Sequence, residues 1–149
     1  MPYVAKFGED AGNTHEARLG IEKIARGILQ IWRFVSHVRR GFLPTEQLHQ
    51  DVAGLVVTLD PWITMARGRH KNAMDLAINF AAEADPNIAE ADRVPVAICS
   101  IEDLEWATAR IDFTAFAKLV EGASKHDRSG WHWPGLLNDV AQDAQPVKR

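Results

Sequence analysis

Acidic residues stand at three places where the strands of an α/β sheet would end. Glu9 and Asp10 follow Lys6, Asp60 follows an apolar run, and Glu102 and Asp103 follow Ser100. Ligands of open α/β sheets lie beyond the carboxyl ends of the strands, and Mg²⁺ takes carboxylate oxygens and water. Each acid also has a local task, since Asp60 opens an Asp-Pro turn and Glu102 and Asp103 suit a helix N-terminus. The metal ligands therefore stay unassigned. The 6 histidines are His15, His37, His49, His70, His126 and His132. None pair at the i, i+4 spacing of a helical zinc site. His126 and His132 lie beside Trp131 and Trp133, a composition that suits an aromatic plug better than a metal centre. Cys99 is the single cysteine, so there is no disulfide framework and no thiolate cluster. Glycine-rich phosphate loops and nucleophile elbows are absent from the sequence.

Basic residues are more informative. Arg26, Arg33 and Arg40 recur every seven residues and nearly align on a helix, with Lys23 and His37 beside them. Arg67, Arg69, His70 and Lys71 form a second cluster. If the two converge they make a groove for phosphates, whose affinity would fall steeply with salt. The other reading is a solvated helix face. The net charge of −3 gives no global field toward nucleic acid, so any such binding is local.

The stretch from Ile21 to Arg40 must position these groups. Its apolar residues, Ile21, Ile24, Ala25, Ile28, Ile31, Trp32, Val35 and Val38, fall on one face of a helix roughly 30 Å long. Thr14 suits the N-cap, Gly41 the C′ position, and Pro44 bars continuation. Ahead of it, Pro2–Phe7 reads as a strand and 8–13 as a turn-rich loop. Val52–Leu59 is β-branched and apolar on both sides, as in a parallel sheet covered on both faces. A helix over Ile63–Glu83, with a break near Gly68, leads to a second buried strand, Val94–Cys99. Ser100 caps a helix over Ile101–Ala109. Helices at Phe113–Gly122 and Pro134–Ala141 follow, separated by a polar, aromatic loop.

The expected fold is α/β: a small, mostly parallel three-stranded sheet with helices on both faces, in the order β-α-β-α-β-α-α-α. Hydrophobic residues at 46% and charged residues at 25% suit one globular domain, 1–142, followed by a flexible tail, 143–149. The N-terminus lacks the apolar core of a signal peptide, and no apolar run reaches the length of a membrane span. The chain reads as soluble and cytoplasmic.

Lys6 in a short strand, the Gly8-Glu9-Asp10 loop, a long helix with Gln30 and Phe34, and two further strands form an ordered set. That set resembles the second half of restriction-endonuclease-like, PD-(D/E)XK, domains of the RecB type. The resemblance implies a nuclease ancestry in which Lys6 matches the family's catalytic lysine and Gln30 its glutamine motif. Phe34 stands where the family has tyrosine, and Val4 where it has a metal-binding acid. Lys6 without those acids has no metal-bound water to activate.

Three functions are thus expected in turn. The first is a non-catalytic nuclease-like domain that binds nucleic acid or a protein partner through Lys23, Arg26, Gln30, Arg33, His37 and Arg40, joined by Arg67, Arg69 and Lys71. The second is a plain interaction or assembly module, including a homo-oligomer, using Trp131 and Trp133. The third is an active Mg²⁺-dependent nuclease whose acids have migrated to Glu9, Asp10 or Asp60. Only the third needs a cofactor, and the chain by itself leans away from enzyme activity.

Overall fold

A computed structural model describes residues 15–43, 52–59, 67–125 and 133–143. These form a long helix α1 (His15–Arg39), a strand β1 (Gly54–Thr58) and a helix α2 (Arg67–Ala84). A 3₁₀ turn (Glu90–Asp92) leads to strand β2 (Val96–Ser100), then helices α3 (Ile101–Thr108), α4 (Phe113–Ser124) and α5 (Trp133–Asp143). β1 and β2 pair in parallel, Gly54 opposite Val96 and Thr58 opposite Ser100. The fold is mixed α/β with a two-stranded parallel sheet among the described residues. The expected third strand, Pro2–Phe7, lies outside them, as do Thr14, Pro44 and the tail beyond Asp143.

The two strands alternate between two cores, as period-2 geometry requires. Val56, Val96 and Ile98 face a layer made by α1 and α2, with Ile24, Ile28, Leu29, Trp32, Ala73, Ala77 and Ala81. Leu55, Ala97 and Cys99 face a second layer, with Ala107, Leu119, Val120, Trp133 and Leu136 from α3, α4 and α5. Alanines on α2 let it lie close against α1. On α1 Ile24, Ala25, Ile28, Trp32 and Val35 are buried as the apolar spacing expects, whereas Ile21, Ile31 and Val38 are half-buried and Ala17, Leu29 and Ser36 are buried too. The indole N–H of fully buried Trp32 donates to the Val94 carbonyl at 3.0 Å.

Helix ends follow local chemistry. Gly41 closes α1 with φ +75°, its N–H donating to Val38 and that of Phe42 to His37, the paired bonds of a glycine-terminated helix. Ser100 caps α3 by accepting from the Asp103 N–H at 3.1 Å. Asp112 caps α4 by accepting from the Ala115 N–H at 2.8 Å.

Several expectations need correction. β1 is shorter than Val52–Leu59, and its outer half is open: Val57 is exposed and Leu59 is 83% exposed. Within the described residues α2 begins at Arg67, and residues 63–66 of the expected helix lie outside them. β2 starts two residues late because Pro95 has no N–H to give the ladder, although its carbonyl accepts from Gly54 at 2.8 Å. Asp143 belongs to α5 rather than to the tail. Trp133, expected as an exposed contact, is buried against Phe116 with ring centroids 6.0 Å apart; Trp131 lies outside the described residues.

Candidate functional site

α1 presents its charged side to water, but most of the cations there already hold a partner. Arg26 pairs with Glu22 one turn earlier at 2.8 Å and stacks over the Phe80 ring at 4.9 Å. Arg33 donates to Asp85, beyond the end of α2, at 2.9 Å. Both guanidiniums are thus turned sideways into the seam between α1 and α2. Arg40 lies over the Phe42 ring at 4.8 Å, and its Nε is buried with no hydrogen-bond partner. His37 meets the edge of the same ring. Lys23 is exposed. Among the described residues, Lys23 and Arg40 are the cations of this stripe with no carboxylate in ion-pair reach.

The second basic cluster does not extend the stripe into a groove. Lys71 pairs with Asp75 along its own helix at 2.6 Å. His70 is buried, its Nε2 3.0 Å from the Val96 carbonyl, and so serves the sheet rather than a ligand. Arg69 is half-buried and has its own partner. The Arg67 side chain and Lys6 lie outside what is described.

Arg39 is the arginine that seven-residue spacing missed. It ends α1, is itself half-exposed, and donates to both oxygens of Asp92, at 2.6 and 2.8 Å. Asp92 is 1% exposed and also accepts from the Ala89 N–H at 2.8 Å. The Arg39 guanidinium holds the Asp92 carboxyl below the usual aspartate range, with that backbone N–H and Ser36 adding to it. This clasp ties the end of α1 to the turn before β2. It is architecture, not a site.

Uncharged and apolar groups stand among these cations on the outer face. Leu19, Lys23, Arg26, Gln30 and Phe34 form one exposed line along α1. Leu19 and Phe34 are 43% and 47% exposed. Gln30 stands between two depressions. One is lined by Arg26, Arg33, Phe80 and Glu83 at the α2 seam. The other is lined by Gly27, Ile31, Phe34, Leu55 and Val56 beside β1.

Among the described residues no three of His, Cys, Asp or Glu stand close enough to hold an ion. Asp103 is buried at the start of α3, while Glu102 faces water; Glu9, Asp10 and Asp60 lie outside the described residues. Burial pushes the Cys99 thiol up to about 12, the charge of Asp103 adding to it. No described helix is long and apolar enough to cross a membrane. Comparison with protein-family models, with curated proteins and with solved structures gives no match to this chain.

Proposed function

We propose that this chain is a non-catalytic binding module, that its working surface is the outer line of α1, and that its partner is a protein. The observation that carries this is the state of the cations. Arg26, Arg33 and Lys71 each already hold a carboxylate, so a phosphate would have to displace a partner that costs nothing to keep. Along the same exposed line stand Leu19, Gln30 and Phe34, an aliphatic, an amide and an aromatic group. Aromatic groups with few free charges are the composition of protein interface centres. The third strand, Pro2–Phe7, is kept in this reading as part of the same α/β domain.

A second reading retains nuclease ancestry and nucleic acid as the ligand. It draws on Gln30 sharing a crevice with Arg26 and Arg33, and it would add Lys23, His37 and Arg40.

The test is affinity isolation from the cells that make the protein, using the native chain and a Leu19→Glu, Phe34→Glu double variant. A protein retained by the native chain in 0.5 M salt, resistant to nuclease and lost with the double variant supports the reading. Recovery of nucleic acid that salt releases, or identical recovery with both chains, rejects it.

A further inference from the structure

β1 is bonded to β2 on one side only. Gly54 donates across to Pro95, so Gly54, Val56 and Thr58 turn their peptide groups toward β2. Alternation then turns the N–H and C=O groups of Leu55 and Val57 the other way. Among the described residues nothing accepts from or donates to them. Unpaired strand edges of this kind are normally covered or paired.

That edge lies between two apolar walls. On the α1 side Gly27, Ile31 and Phe34 overhang Val56. On the other side Phe113, Phe116, Ala117 and Val120 of α4 face Leu55 and Ala53 across a groove of about 640 Å³. Phe113, at 84% exposed, stands at its rim. A strand laid on the edge would send alternate side chains into each wall, so it should be apolar on both sides.

We infer that the occupant is the chain's own segment Pro2–Phe7, added to β1 as a parallel third strand on the side away from β2. Handedness selects it. α1 and α2 cover the same face of the sheet. α2 connects β1 to β2, and crossovers between parallel strands are right-handed in almost all proteins. A second right-handed crossover with its helix on that face must step in the same direction. The strand that precedes α1 therefore lies on the opposite side of β1 from β2.

Direction and length agree. A Cβ at Gly27 would meet Val56, and one at Gly54 would meet Ile31, so α1 runs antiparallel to β1. The helix begins 12 residues before Gly27, which carries it about 18 Å back toward the carboxyl end of β1, where a parallel strand would also end. The segment 8–14 between them can span up to about 24 Å. Tyr3, Ala5 and Phe7 alternate with Val4 and Lys6, and Pro2 falls at the first position, where a missing N–H is harmless.

Amide hydrogen exchange and cross-strand NOEs on the intact chain test this. The Leu55 and Val57 amides should be protected at least 100-fold over unstructured peptide, independently of protein concentration, with NOEs from residues 3–7 to 55–57. Deleting residues 2–7 should remove that protection while leaving Val56 and Ile98 protected. Ala5→Pro serves the same purpose if the deletion fails to fold. Unprotected Leu55 and Val57 amides, or protection without those NOEs, overturn the inference. Protection that rises with concentration assigns the edge to a second copy and overturns it too.

Discussion

On the protein-binding reading, Glu22, Asp75 and Asp85 keep the cations of α1 and α2 from acting as a phosphate-binding surface. Replacing them together as Glu22→Gln, Asp75→Asn and Asp85→Asn frees Arg26, Lys71 and Arg33. The formal charge rises by three from its native −3. Folding should survive: the exposed Glu22 and Asp75 pairs each contribute about 0–1 kcal/mol, and loss of the part-buried Arg33–Asp85 pair costs about 1.5–3 kcal/mol. Lys23 and Arg40 are the free cations of the native stripe, so its duplex binding should show a salt slope no steeper than about −1.8, at roughly −0.9 per neutralised phosphate. Three freed cations should steepen the slope by up to about 2.7, which is about 40-fold in affinity between 200 and 50 mM salt. Fluorescence anisotropy with a labelled duplex across that range reads both slopes. A native slope already near −4.5, unchanged in the triple variant, would show that phosphate displaces the carboxylates and would refute the reasoning.

Other consequences follow from the packing. Gly54→Ala places a Cβ 2.8 Å from Ile31 and 3.1 Å from Val96, and chemical denaturation should show a loss of about 1–3 kcal/mol, relieved in part by adding Ile31→Ala. Asp92→Asn should cost about 1.5–3 kcal/mol near neutral pH, since it removes the charge from a buried, multiply bonded carboxylate. The folded-state pKa of Asp92 is lowered, so its stabilisation is present above the ordinary aspartate value near ~3.9 and is lost as pH falls through the folded value. The gap between native and Asp92→Asn stabilities should accordingly close below about pH 4. Cys99, with its thiol pushed up to about 12, should ignore a thiol reagent at pH 8 until denaturant is added.

The sequence made the scaffold readable where one physical signal dominated. The 3.6-residue spacing from Ile21 to Val38 identified α1 and its buried side, because a long amphipathic helix has one way to lie. Gly41 and Ser100 marked their helix ends because only a few residues serve there. Extended apolar runs located β1 and β2, but their ends slipped where Pro95 and the open outer half of β1 intervened. Charge was the poorest guide. Arg26, Arg33 and Arg40 share a stripe in sequence, and Glu22 stands one turn from Arg26, yet Phe80 on α2 and Asp85 just beyond it come from about fifty residues away, and no local spacing reveals them. Arg39 and Asp92 meet across 53 residues for the same reason. Trp133 looked like an interface group because its neighbours are polar, whereas α5 turns it inward onto Phe116.

The central claim is that α1 meets a protein along Leu19, Gln30 and Phe34, and photo-crosslinking in living cells tests it most directly. A benzophenone amino acid at position 30 should yield an adduct whose mobility shift is removed by protease and untouched by nuclease. The same group at Glu121, on α4, should yield none. An adduct at position 30 that nuclease removes, or the same protein adduct from both positions, would contradict it.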